Sequence, residues 1–127
     1  MLKTYKTLSV LEPWGDFIAR GVKTIEVRSW TTDEISPGED LLIVQNKRCL
    51  SPEDPVDQDG HAVALVRLSE IRPFVYEDRP AAKTERFEDN WWAWVLTDLR
   101  PIKGRVRAPA KTMIYELSLD LNGESLA

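Results

Sequence analysis

The stretch LSVLEPWGDFIARGVKTIEVRSW, residues 8–30, predicts a strand, a helix and a second strand in immediate succession. Apolar residues recur at helical spacing after Pro13, where a first turn tolerates proline. Gly21 can adopt the left-handed conformation that ends a helix. From Lys23 to Trp30 the pattern changes to the alternation of a strand. We therefore expect one short helix after the first strand.

The second strand carries a carboxylate and a guanidinium on one face. Glu26 and Arg28 are two positions apart, so their Cα atoms are expected to lie roughly 7 Å apart on the same side. The pair can receive a planar polar ligand, because the carboxylate accepts from an amino group and the guanidinium donates to a carbonyl or phosphate. Trp30 shares the face and is the best stacking candidate. The simpler interpretation is an exposed ion pair, worth under about 1 kcal/mol.

The rest of the chain is dominated by further strand patterns. With six or seven strands, one clear helix and no repeated βα unit, the sequence predicts an α+β, mainly β fold, a mostly antiparallel β-barrel in a single domain, 1–127. Residues 48–60 are expected in a long surface loop, in which 51–59 are rich in acid, and 75–90 in a loop with one helical turn. The predicted strands are 4–11, 23–30, 40–47, 61–74, 91–102, 103–109 and 112–121.

Length and composition fit a single globular core. The chain has 127 residues, of which 43% are hydrophobic and 30% charged, which does not indicate disorder. We find no apolar run near the ~18 residues of a membrane span and no secretion signal. Cys49 is the sole cysteine, so an internal disulfide is excluded. We expect a cytoplasmic protein with no membrane partner.

Charge is unevenly distributed along the chain. Seventeen basic and twenty-one acidic residues give a formal net charge of −4, which disfavours binding nucleic acid mainly by charge neutralisation. One segment, RPIKGRVRAPAK, has no acidic residue and is either a guide for a nucleic-acid backbone or a solvated edge strand. Its five basic residues are Arg100, Lys103, Arg105, Arg107 and Lys111.

Other common catalytic and cofactor patterns are missing from the sequence. His61, the sole histidine, and Cys49 are twelve positions apart, which is not a metal-ligand spacing, so no metal is predicted. With a single histidine in the chain, no Ser-His-Asp arrangement is proposed. Neither a GxGxxG nor a P-loop pattern is present, and no cofactor is predicted.

Residues 8–30 resemble the opening of an ASCH domain, a family related to the PUA fold. Its GxKxxExR motif is matched by Gly21, Lys23, Glu26 and Arg28, flanked by PW and SW pairs, and WAWVLTDLRPIKGRVR, residues 92–107, resembles a later strand pair of the family. The resemblance implies a PUA-like β-barrel whose motif residues sit in a cleft between the barrel and the first helix.

The resemblance also implies function. Members of the family are linked to RNA binding, one bacterial branch hydrolyses acetylated cytidine, and another is reported as a ribonuclease. In the amidohydrolase branch a proposed threonine nucleophile stands where this chain has Glu26, which puts that mechanism in doubt. Thr24 lies nearby in sequence.

Three hypotheses follow for this chain. The first is a module that binds RNA, a nucleotide or a modified nucleoside. The second is a nucleoside-directed hydrolase, either an amidohydrolase or a ribonuclease, with Lys23, Glu26 and Thr24 as catalytic residues. The third is a protein-interaction adaptor in which the motif only stabilises the fold. For the first, the expected ligand-binding residues are Gly21, Lys23, Glu26, Arg28, Trp30 and Trp14.

Overall fold

The computed structural model describes residues 1–121, with the side chain of Arg105 excepted. This part of the chain is mainly β, with eight strands, two short α-helices and one 3-10 turn. In chain order the elements are β1 (Lys3–Leu11), α1 (Trp14–Ala19), β2 (Ile25–Arg28), β3 (Asp40–Asn46), β4 (Val56–Asp57), β5 (His61–Pro73), the 3-10 turn (Tyr76–Asp78), α2 (Arg79–Ala82), β6 (Trp92–Arg107), β7 (Ala110–Lys111) and β8 (Ile114–Leu119).

Six strands form one mixed sheet in the order β2-β6-β5-β3-β1-β8, and β4 pairs with β7 in a separate ribbon. Among the strand pairs of residues 1–121 only β1 and β3 are parallel, so the expectation of a mostly antiparallel fold is confirmed. The expectation of a closed barrel is wrong. In the described residues β2 and β8 are the two edges of the sheet, and no backbone ladder joins them.

Apolar residues cover both faces of the central strands. In β3, Leu41 and Ile43 enter one core cluster, whereas Leu42 and Val44 enter a second on the opposite face. This division follows from the two-residue period of a strand. Helix α1 covers the first cluster with Ile18, which is 2% exposed. The sheet thus presents one face to α1 and the other to the loops around β7.

The helix α1 ends as the sequence predicts. Gly21 has a φ of +78°, and its N–H donates to Ile18 O at 3.0 Å. A Cβ at Gly15 would lie 2.7 Å from the side chain of Gln45, so glycine allows α1 to approach β3 closely. The Gln45 Oε1 atom also accepts from the Asp16 N–H at 2.7 Å. These contacts fix α1 against the end of the sheet where β1 finishes.

Two segments differ from the expected loops. Residues 75–90 contain the 3-10 turn and α2, so the prediction of a single helix is wrong; Asp78 anchors the turn by accepting from Arg72 at 2.7 and 2.9 Å. Within the expected acidic loop, β4 buries Asp57, whose carboxylate accepts from two backbone N–H groups. The predicted strands 91–102 and 103–109 form one strand, β6. Its register with β5 shifts at three points, which interrupts the ladder locally without ending it.

No helix in residues 1–121 is long and apolar enough to cross a membrane.

Candidate functional site

A cleft of about 760 Å³ opens where the two ends of the curved sheet approach each other. Its lining combines the charged motif residues, three tryptophans and several residues from loops. The lining residues are Lys23 and Glu26–Trp30 in and beside β2, Ser9–Leu11 at the end of β1, Trp14 at the start of α1, Asn46, Cys49 and Leu50 at and after the end of β3, Ala82, Thr84, Arg86 and Trp91 between α2 and β6, and Lys111–Met113 between β7 and β8.

Arg28 spans the gap between the two ends of the sheet. The pairing of β1 with β8 ends at Leu8 and Ile114, so the next carbonyl, Ser9 O, is free of that ladder. Arg28 Nη2 donates to Ser9 O at 2.6 Å and lies 2.7 Å from Glu26 Oε2. A side chain therefore connects β2 to β1 where a closed barrel would have a backbone ladder.

Lys23 is buried at 4% exposure and uses all three of its N–H donors. Its Nζ lies 2.9 Å from Ile25 O, 2.5 Å from Ala82 O and 3.2 Å from Glu26 Oε1. Burial lowers the pKa of Lys23 from its ordinary value, while the adjacent Glu26 carboxylate acts in the opposite direction. The contact with Ala82 ties the start of β2 to α2, which leads into one wall of the cleft.

Glu26 and Arg28 keep polar atoms for a ligand. Each Glu26 oxygen has one cationic partner, which leaves further lone pairs on the carboxylate. In the described residues Arg28 Nε is buried without a hydrogen-bond partner, and Nη1 makes no hydrogen bond or ion pair. The site thus presents an acceptor beside a donor, the pattern that pairs with a nucleobase edge.

Ser9 belongs to a directed hydrogen-bond chain on the other wall. Tyr115 donates its hydroxyl proton to Pro109 O at 2.8 Å, so Ser9 must donate to the Tyr115 hydroxyl at 3.0 Å. Ser9 Oγ in turn accepts from the Lys111 N–H at 3.0 Å. Burial raises the pKa of Tyr115. This series of hydrogen bonds fixes the backbone of Lys111 beside the cleft.

Aromatic side chains at the cleft divide into exposed and supporting ones. Trp14 is 38% exposed, and Trp30 and Trp91 are half-buried; all three line the cleft. Trp94 is fully buried and supports Trp30 edge-on, with ring centroids 5.0 Å apart. Trp94 is fully buried and Trp92 is not among the described lining residues of the cleft, so neither is a stacking candidate.

The cleft is basic although the protein is acidic. Lys23, Arg28, Arg86 and Lys111 line it, and Glu26 is the sole acidic residue among its described lining residues, which gives a local charge of +3. Subtracting this from the net charge of −4 leaves −7 for the rest of the chain. The cleft is therefore a basic surface on a protein whose net charge is negative.

The structure does not bring every predicted site residue into the cleft. Gly21 lies outside it, because its role is to end α1. Thr24 precedes β2, is exposed and also lies outside the cleft. The expected nucleophile is thus absent from the described lining, whereas Lys23, Trp14 and Trp30 are present.

Most basic residues of the segment 100–111 are not among the described lining residues of the cleft. Arg100 pairs with Asp40 at 2.7 Å and Arg107 with Asp59 at 2.8 Å, so acidic neighbours offset their charges. Lys103 is exposed away from the cleft, and the side chain of Arg105 lies outside the described part of the structure. Of the segment, only Lys111 is among the described lining residues.

Several cleft residues were not identified from the sequence. Thr84 and Arg86 belong to a segment without periodicity, and Cys49 and Leu50 follow β3 in the expected surface loop. Trp91 is the first residue of the predicted strand 91–102, and the aromatic bulk at the start of that strand was the only available signal. In residues 1–121, no group of three or more potential metal ligands is close enough to hold an ion.

Comparison with known proteins identifies the domain. A family model described as ASCH domain matches residues 8–103. No curated protein matches the chain. The structure of ASCH from Zymomonas mobilis superposes with a TM-score of 0.58 at 15% identity, covering 81% of this chain and 73% of that one. A tyrosine-to-phenylalanine variant of that protein gives a TM-score of 0.54 at 16% identity, covering 81% and 75%. At this identity the structural likeness concerns the fold.

Proposed function

The chain belongs to the ASCH domain family, and from that membership we propose that its cleft binds a nucleotide or a modified nucleoside, free or within RNA. The family has a PUA-like fold that is often linked to RNA binding. Glu26 and Arg28 would contact the base edge, and Trp30, Trp14 or Trp91 would stack on its ring.

One observation carries the proposal: a basic cleft lined by tryptophans in a protein that is acidic elsewhere. A structural ion network has no need of exposed aromatic rings beside it. Stacking of a base on an aromatic ring contributes about 1–3 kcal/mol, and basic side chains attract the phosphate. The cleft volume of about 760 Å³ lies in the range of small-molecule sites.

The polar pair supports recognition of a base. The carboxylate of Glu26 is 7% exposed and held between two cations, so it is preorganised as an acceptor. Arg28 Nη1 provides a donor next to it. An exocyclic amino group beside a ring nitrogen or carbonyl matches this acceptor–donor arrangement. In this proposal Lys23 positions Glu26 and does not itself contact the ligand.

The test is titration of tryptophan fluorescence at low salt with ribonucleosides, their monophosphates and single-stranded RNA. We expect saturable quenching with at least one probe and at least about a tenfold loss of affinity in Glu26→Gln. Glu70→Gln is the matched control, because Glu70 pairs with Arg72 at 3.1 Å, also two positions apart on a strand, outside the cleft. Absence of binding to every probe would refute the proposal. If Glu26→Gln then lowered only stability, the adaptor hypothesis would gain.

A hydrolase is the second candidate, favoured by the buried Lys23–Glu26 pair at 3.2 Å inside the same cleft. Because Thr24 lies outside the cleft, water would be the nucleophile and Glu26 the general base. Incubation with N4-acetylcytidine tests the amidohydrolase form, and incubation with single-stranded RNA tests the ribonuclease form. Turnover that Glu26→Gln abolishes would support it, whereas no turnover of either substrate would remove it.

A further inference from the structure

We propose that Arg86 and Lys111 form a phosphate subsite in the cleft, so that the ligand is a nucleoside carrying a terminal phosphomonoester. This rests on the nucleotide-binding function proposed above and deepens it. The same chemistry is presented by a free nucleoside monophosphate and by the phosphorylated end of an RNA strand.

Both cations reach the cleft from elements other than β2. Arg86 belongs to the α2–β6 connection and Lys111 ends β7, and both are exposed. Neither forms an ion pair with an acidic residue in the described part of the chain. By contrast, Arg100 and Arg107, outside the cleft, each pair with an aspartate within 2.8 Å. The two cleft cations therefore keep their charge for a ligand.

Aromatic rings hold both cations without consuming their donors. The Arg86 guanidinium lies 5.6 Å from the Trp91 ring centroid, and the Lys111 ammonium lies 6.0 Å from that of Tyr115. Cation–π contacts leave the N–H groups available to phosphate oxygens. Thr84 Oγ1 accepts from the backbone N–H of Arg86 at 3.1 Å, which leaves the threonine hydroxyl proton as a further donor in the cleft.

Charge distribution favours a terminal phosphate over the middle of a strand. Lys23 and Arg28 are both paired with Glu26, and these three residues keep a net charge of +1, so Arg86 and Lys111 carry the other +2 of the cleft's +3 and are its cations without an acidic partner in the described residues. Two unpaired cations match a phosphomonoester dianion better than a singly charged diester. Beyond the cleft the remainder of the chain carries a formal −7, which repels an extended polyanion.

The experiment compares cytidine, cytidine 3′- and 5′-monophosphate, and single-stranded RNA with either a 5′-phosphate or a 5′-hydroxyl, with the panel repeated for the other three bases. We expect the favoured monophosphate to bind at least about tenfold tighter than its nucleoside. Affinity for the monophosphate should rise between about pH 5 and 7 as the second proton leaves, because its pKa is about 6. The two RNA forms distinguish a strand end from a free nucleotide.

Variants locate the effect. Arg86→Ala and Lys111→Ala should each remove most of the phosphate advantage, measured in each variant as the ratio of monophosphate affinity to nucleoside affinity. Arg20→Ala is the control for Arg86, because Arg20 is also exposed and lies 5.2 Å from an aromatic ring, outside the cleft. Lys103→Ala is the control for Lys111 on the same basic segment. Equal affinity for nucleoside and monophosphate, or equal losses in the controls, would overturn the subsite while leaving nucleoside binding intact; absence of all binding would refute the proposed function instead.

Discussion

Replacing Lys23 by methionine is expected to destabilise the fold strongly, because the ammonium satisfies three buried acceptors. Methionine keeps the length of the side chain and removes its three N–H donors. The change leaves Ile25 O and Ala82 O without this partner and leaves Glu26, 7% exposed, with Arg28 as its remaining cation. Breaking a buried pair by removing one partner costs about 3–5 kcal/mol. Since Arg28 still holds Glu26, we expect a loss near the lower value, about 3 kcal/mol.

Urea unfolding followed by tryptophan fluorescence measures this loss. For a domain with a free energy of unfolding of about 5–15 kcal/mol, the variant should still fold. A double-mutant cycle with Glu26→Gln isolates the pair: Lys23→Met/Glu26→Gln should lose less than the sum of the single variants by at least about 1 kcal/mol. Additive losses would show that the two side chains do not act as a pair.

Lys6→Met is the matched control for burial. Lys6 lies 3.0 Å from Glu39, about the same distance as in the buried pair, but the two side chains are 35% and 39% exposed. Exposed pairs contribute about 0–1 kcal/mol, so this variant should lose less than about 1 kcal/mol. If Lys23→Met cost no more than Lys6→Met, the reasoning that Lys23 holds the cleft wall through its donors would be refuted.

Three further predictions concern other parts of the fold. The hydrogen bond from Arg72 lowers the pKa of Asp78, so the stability from this contact is complete above the ordinary carboxyl pKa of about 4 and is lost as the pH falls below it. The melting temperature of Asp78→Asn should therefore depend less steeply on pH between pH 2 and 6 than that of the wild type. An equally steep pH dependence would contradict this prediction. Gly60→Ala should cost about 1–3 kcal/mol in urea unfolding, because its Cβ would lie 2.6 Å from Ala108 O, and unaltered stability would refute this. Cys49 is exposed and lines the cleft, so cytidine 5′-monophosphate should slow its reaction with a thiol reagent, and an equal rate would argue against occupancy of this cleft.

The mainly β class and most strand positions could be predicted from two signals. Long strands such as β5 show alternation, and β3 is a short apolar run. Closure could not be predicted. Whether the ends of a curved sheet pair depends on where β8 begins along β1; here β8 begins with Ile114 opposite Leu8, directly after Met113, which has a φ of +60°. No local pattern distinguishes a closed from an open sheet, because both use the same alternation.

The sequence could predict which side chains lie together where the residues are close to one another in sequence. Glu26, Arg28 and Trp30 were placed on one face by the two-residue period, and the structure has them lining one cleft. Arg86 was not predicted, and Lys111 was predicted only as one of five basic residues along a nucleic-acid backbone, because long-range packing brings their segments to the cleft. Asp40, which pairs with Arg100, and Asp59, which pairs with Arg107, are likewise distant in sequence from their partners.

The open seam and the motif arginine have one physical explanation. Paired strands lie about 4.8 Å apart, so a ladder between β2 and β1 would use Ser9 O and leave no space for a ligand between the strands. Arg28 is long enough to reach Ser9 O from β2 while its planar fork keeps donors on its outer edge. A lysine at this position would reach with a single nitrogen and would have fewer donors left for a ligand. The guanidinium therefore holds the two ends of the sheet at a fixed separation and contributes to the surface of the cleft that this separation creates.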